Sequence, residues 1–135
     1  MESLIGTGDG RRRRGAGFTL IELLVVMAII ATLLTIAMPR YFQSLERAKE
    51  ATLRQDLAVM RDAIDKFAGD TGRLPESIDE LVDRRYLRAL PEDPFTRSRS
   101  TWQFDLGEVD GLAGVRDVHS GAEGLSKSGV PFSEL

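Results

Sequence analysis

Residues 17–39 read Gly17-Phe18-Thr19-Leu20-Ile21-Glu22-Leu23-Leu24-Val25-Val26-Met27-Ala28-Ile29-Ile30-Ala31-Thr32-Leu33-Leu34-Thr35-Ile36-Ala37-Met38-Pro39, directly after a stretch that holds four consecutive arginines, Arg11 to Arg14. The 21 residues from Phe18 to Met38 carry a single charge, Glu22. As a helix rising about 1.5 Å per residue, such a run spans about 31 Å, close to the roughly 30 Å of a bilayer's hydrocarbon core. The arginine run before it predicts a cytoplasmic N-terminus, with the rest of the chain on the other side. A topogenic role accounts for these arginines better than a nucleic-acid patch does. Without residues 1–17 the chain would carry 14 bases and 19 acids, a net of −5. A mildly acidic remainder lacks the clustered Lys and Arg that phosphate contacts need.

Three readings of the apolar run compete. A secretory signal peptide finds a small-x-small cleavage site at Thr35-Ile36-Ala37, but its apolar region is usually only about 7–15 residues. An ordinary signal anchor explains length and orientation. It leaves unexplained a carboxylate four residues into the run, which costs roughly 2.5–3.5 kcal/mol if deep and unpaired. The third reading explains the acid, since an acid inside a membrane span is a functional hypothesis by default.

That third reading rests on a resemblance. Arg14-Gly15-Ala16-Gly17-Phe18-Thr19-Leu20-Ile21-Glu22-Leu23-Leu24-Val25-Val26 resembles the prepilin processing motif of type IV pilin-like proteins, over roughly the first third of the chain. The resemblance implies that a prepilin peptidase of the inner membrane cuts between Gly17 and Phe18 and methylates the new amine of Phe18. It marks Glu22, fifth from the cut, and Pro39, twenty-second from it, as hallmark positions. Residues 1–17 are then a leader, 18–38 the transmembrane and polymerisation helix, and 39–135 a periplasmic head. The chemistry is compatible. A new ammonium on Phe18 and the Glu22 carboxylate lie about one helical turn apart, and opposite charges in low dielectric relieve each other's desolvation. An intrachain contact is within reach; the resemblance implies pairing with the amine of a neighbouring subunit, which would set the axial register. The alternative is a carboxylate that only reaches the headgroups. Gly17, with no Cβ, lets the backbone lie close in a peptidase cleft. Pro39 is expected to kink or loosen the helix near its membrane exit.

Beyond Pro39 the helical pattern continues. Tyr41, Leu45, Ala48, Leu53, Leu57, Met60, Ile64 and Phe67 recur mostly three and four apart, which predicts one amphipathic helix ended by Gly69-Asp70-Thr71-Gly72. Ser77-Ile78-Asp79-Glu80 reads as a capping box for a short helix with Ile78, Leu81, Val82 and Leu87 on its apolar face. Pro91 and Pro94 predict an extended loop around Asp93. Thr101 to Leu106 alternates, with Trp102, Phe104 and Leu106 on one face, and predicts a strand. Gly107 to Gly111 reads as a turn, Val115 to His119 as a second strand, and the Gly- and Ser-rich tail from Gly121 as irregular. The expected fold is α+β: a long N-terminal helix, membrane half plus amphipathic half, with a short helix and a small antiparallel sheet packed on its C-terminal half.

This half is similar to the major pseudopilin, or G-type subunit, of type II secretion systems, through Gly72-Arg73-Leu74-Pro75, Leu81-Val82, Tyr86-Leu87, Leu90-Pro91-Glu92-Asp93-Pro94-Phe95, Trp102 and Asp117-Val118-His119-Ser120-Gly121-Ala122-Glu123-Gly124. The chain has no cysteine. Disulfides, thiol catalysis and a lipid-bearing cysteine are therefore excluded, and so is the C-terminal disulfide loop of many type IV pilins. The resemblance also implies calcium binding after Asp117, where Asp117, Ser120 and Glu123 offer oxygens. The family's loop is longer and more acidic, so no metal ligand is assigned, and no cofactor. His119, the single histidine, and Asp105, Asp110 and Asp117 compose no catalytic pair, and no phosphate loop or nucleophile elbow is present.

The expectation is a structural subunit of a type II secretion pseudopilus, not an enzyme, with a type IV pilin for adhesion, motility or DNA uptake as the alternative. The implied partners are prepilin peptidase, other copies of the chain in a filament, minor pseudopilins and an inner-membrane assembly platform, with no nucleic acid. The implied location is a single pass through the inner membrane, N-terminus cytoplasmic and head periplasmic.

Overall fold

A computed structural model of the chain describes residues 17–135 together with Ser3, Gly6, Gly8, Gly10 and Gly15. The arginine run Arg11–Arg14 lies outside the described residues, as does most of the leader. Two compact units are present, Met1–Pro39 and Arg40–Leu135.

The first unit holds the start of helix α1, Leu20–Thr71. Every side chain of α1 from Leu20 to Met38 is exposed, apolar residues on all sides included. A helix apolar around its whole circumference has no internal core to make and needs an apolar surround. It is long and apolar enough to cross a membrane. Its polar groups are closed locally: the Thr32 and Thr35 hydroxyls donate to the carbonyls of Ala28 and Ala31, each at 2.8 Å, as lipid requires. Pro39 sits inside α1 without ending it. Its effect there is a missing N–H rather than a break.

The second unit carries the core. On α1, Leu53, Leu57, Met60, Ile64 and Phe67 are buried at alternating spacings of four and three. Fully burying each such side chain contributes about 1.5–3 kcal/mol. Tyr41, Leu45 and Ala48 extend the expected stripe in sequence but are exposed; the tail meets this part of α1 through the polar Lys127, which donates to Gln43 O at 3.1 Å. Gly69 is still helical, and α1 ends only where Gly72, at φ +73°, donates its N–H to Ala68 O at 2.9 Å.

Helix α2, Ile78–Asp83, packs Ile78 and Leu81 into the core. The expected capping box is not formed: Ser77 makes no side-chain cap bond. Glu80 instead receives a two-point bond from the Arg73 guanidinium and the N–H of Glu76 at 2.8 Å. A charge-assisted fork outcompetes a neutral hydroxyl exchange. That bond is the largest of the effects that hold the Glu80 carboxyl below its ordinary range. Leu87 belongs to the turn after α2, not to the helix. There the N–H groups of Tyr86 and Arg85 return to the carbonyls of Leu81 and Val82, with Arg85 left-handed at φ 63°.

Strands β1, Gln103–Val109, and β2, Leu112–His119, form an antiparallel hairpin that is longer than expected on both sides. The turn is only Asp110-Gly111, at φ 52° and 79°, the geometry that favours a two-residue connection. A register shift between Asp105 and Leu106 leaves Arg116 as an extra residue on β2. The bulge puts Val115 and Val118 in the core together, although three residues apart they would face opposite sides of a regular strand. On β1 Leu106 is exposed, unlike the expected core face it was to share with Trp102 and Phe104.

The tail is more ordered than its composition suggests. A bridge pairs Leu125 with Pro131, and a 3₁₀ turn, η1, covers Phe132–Glu134. Phe132 is buried, its ring centroid 4.2 Å from that of Phe95. The tail enters through Gly121, where a Cβ would lie 2.0 Å from Thr101 O. Main chain cannot yield as a side-chain tip can, so Gly121→Ala should destabilise the head by roughly 3 kcal/mol. At roughly 4–8 °C per kcal/mol for a domain of this size, a thermal melt should show a fall of 10 °C or more; an unchanged melting temperature refutes the clash.

Candidate functional site

The N-terminal site begins before α1. Gly17, Phe18 and Thr19 precede the helix, and Phe18 is 92% exposed. A Cβ on Gly17 would meet nothing within 4 Å. Among the described residues, no packing contact demands glycine at this position.

Glu22 has an internal partner that its sequence pattern signals but that the reading of Glu22 as an assembly charge passed over. Glu22 Oε2 accepts the Thr19 N–H at 3.0 Å, while Thr19 Oγ1 accepts the Glu22 N–H at 3.2 Å. This is a reciprocal capping box, and the Thr-x-x-Glu string ahead of an apolar run is its signature. It closes two main-chain donors that would otherwise be costly at the edge of lipid. The box uses one oxygen of Glu22; the other, Oε1, has no hydrogen bond among the described residues. Phe18, Thr19 and Glu22 thus form one exposed cluster at the start of α1, with Pro39 nineteen residues further along the helix.

The head holds a second polar cluster. Asp105 and Asp117 are directly opposed across the hairpin. Nothing in their sequence spacing discloses this, because a regular two-residue hairpin would pair Asp105 with Arg116. His119 Nε2 lies 3.1 Å from Asp105 Oδ2 and 3.7 Å from Asp117 Oδ2. Asp117 Oδ1 accepts from Arg61 Nε at 2.7 Å and from the Val118 N–H at 2.7 Å. Burial pushes the Asp117 carboxyl up, but the Arg61 and Val118 hydrogen bonds with the charges of Arg61 and His119 outweigh it and hold it below the ordinary range.

The oxygens considered for calcium after Asp117 are not gathered for an ion. Buried Ser120 donates to buried Asp93 Oδ2 and accepts the Ala122 N–H at 3.0 Å. Glu123 is exposed and joins no cluster of three carboxylate or imidazole ligand atoms among the described residues. Calcium takes six to eight oxygens, and this donor set does not fit it. Asp93, read from sequence only as a loop residue, is in fact the organiser of its loop. It is fully buried, and its Oδ1 accepts the N–H groups of Phe95 at 2.8 Å and Thr96 at 3.3 Å.

Comparison with known proteins addresses both ends of the chain. The family model described as the prokaryotic N-terminal methylation motif matches residues 12–38. The type II secretion system core protein G of Aeromonas hydrophila is 29% identical over 131 residues, covering 79% of this chain and 92% of the relative. The protein of that name from Klebsiella pneumoniae is 28% identical, covering 90% and 91%, and that of Vibrio cholerae 25%, covering 84% and 89%. No solved structure matches the chain significantly. A methylation motif at the start of an exposed apolar helix is thus continued, along most of the chain, by similarity to the major pseudopilins named core protein G.

Proposed function

We propose that the chain is a structural subunit of a type II secretion pseudopilus: a single-pass inner-membrane protein that prepilin peptidase processes and that polymerises through α1. The observation that carries the reading is the pairing of an all-round apolar helix, exposed from Leu20 to Met38, with a carboxylate held at the helix start by one oxygen and unbonded at the other among the described residues. Copies of such a helix bury their apolar surface against one another when they stack. A carboxylate with one free oxygen can then accept the Phe18 ammonium of the next subunit, which relieves two desolvated charges together. The N-terminus faces the cytoplasm, so Gly17 and Phe18 meet the peptidase at the inner face while the head stands in the periplasm. Minor pseudopilins and the assembly platform of the inner membrane are the further partners. Similarity to core protein G extends through the head, which favours secretion over adhesion. No reaction is assigned to any residue.

Intact-mass measurement after co-expression with a prepilin peptidase tests the reading. The mature protein should begin at Phe18 with one added methyl group. A start at Met38, from cleavage after Ala37, would show a released secretory protein instead and overturn the proposal.

A further inference from the structure

Arg61, on α1, reaches two separate stretches of chain, the end of β2 and the C-terminal Leu135. Its Nε donates to Asp117 Oδ1 at 2.7 Å, and its Nη2 donates to Val118 O at 2.9 Å and to the main-chain oxygen of Leu135 at 2.8 Å. A carboxylate and two main-chain oxygens converging on a positive charge are the ligand types that a bound divalent cation draws from a protein. Here the charge is covalently part of the helix. We infer that the Arg61 guanidinium takes the place of a bound cation, so that the segment from Asp117 to Leu135 is ordered by an internal charge and the head is independent of calcium.

Three observations favour this arrangement over an ion added beside it. Asp117 already has one oxygen saturated by Arg61 and the Val118 N–H, and its other oxygen faces His119. A divalent ion within a few ångströms of the guanidinium would meet a like charge in a site only partly open to water, with Asp117 38% exposed and Arg61 34%. Ser120 is committed to Asp93 and Ala122, so the hydroxyl next to Asp117 and His119 in the chain is spoken for. The planar fork matters as well as the charge. A guanidinium donates in two directions at once, where an ammonium is a point charge. The inference concerns the head alone and stands whether the filament serves secretion or adhesion.

The experiment uses the full chain in detergent micelles, melted in EGTA and again with about 5 mM calcium, above the roughly 10⁻⁴–10⁻³ M range of extracellular calcium modules. The two melting temperatures should agree to within about 1 °C, whereas ligand at many times its Kd would raise the value. Limited proteolysis then compares wild type with Arg61→Gln and Arg61→Lys in EGTA. Cleavage beyond His119 should be roughly tenfold faster in the glutamine variant, the scale of a lost charge-assisted contact in local opening, with lysine between. A calcium-dependent rise of more than about 2 °C in wild type overturns the inference. So does wild-type protection in Arg61→Gln. Should the glutamine variant not fold, the calcium comparison on wild type and the cleavage of Arg61→Lys decide alone.

Discussion

Glu22→Gln should insert, be processed and start its helix normally, yet fail to build filaments. The reason lies in the two roles the carboxylate combines. One oxygen accepts the Thr19 N–H as part of the capping box, and glutamine at that place caps as glutamate does. The charge is what glutamine lacks. Without it, the ammonium of Phe18 in an adjacent subunit has no counter-charge when helices pack in low dielectric. An uncompensated charge of that kind costs about 3–5 kcal/mol, so sheared filaments should fall by roughly 100-fold or more at matched membrane levels. Glu22→Ala should fail in the same assay and in addition lose the cap, about 1 kcal/mol of helix start. Processing of both variants should continue, because the proposed cut lies at Gly17, outside the substituted position. If Glu22→Gln assembles as wild type does, the carboxylate serves as a helix cap or reaches the headgroups, and charge pairing is wrong.

Gly17→Leu should accumulate at precursor mass in the membrane fraction. Insertion depends on the apolar run and the arginines before it, and neither changes. A Cβ at position 17 meets nothing within 4 Å among the described residues, so their packing leaves room for leucine. The whole effect must then come from the peptidase, whose cleft has to admit the main chain closely at the cut. A fall of at least roughly 100-fold in processing rate is expected, the scale of displacing a scissile bond by about 1 Å. Normal conversion of Gly17→Leu would mean that this glycine is not read at all.

The elements differ in how far their own residues disclose them. The core face of α1 between Leu53 and Phe67 was legible, because burial on a helix repeats every three or four residues and sequence carries that period directly. The same period ran on upward through Tyr41 and Leu45, where the helix has no cover; a pattern shows which face is apolar, not how far the neighbouring elements extend. The hairpin was half legible. Asp110-Gly111 between apolar strands is a strong turn signal, and a broader turn from Gly107 was expected because the strand glycines Gly107 and Gly114 resemble breakers. The bulge at Arg116 was not legible. It follows from Val115 and Val118 both needing the core, a demand set by the surface of α1 and not by β2 itself. Glu80 makes the same point: the Ser-x-x-Glu string offered a cap, and Arg73, seven residues earlier, took the carboxylate.

The sequence by itself determined the membrane-length helix, the place of the one acid within it, the processing motif, and the absence of thiol chemistry. Each of these is a property of contiguous residues: a run length, a spacing, a charge count. Only the tertiary structure decided what the head does with its polar groups. Arg61, Asp117 and Leu135 are far apart in the chain, as are Asp93 and Ser120, and no local pattern selects which cation meets which oxygen. That choice belongs to the packed core, which brings α1, the hairpin and the tail together and so sets which donor each of these acceptors meets.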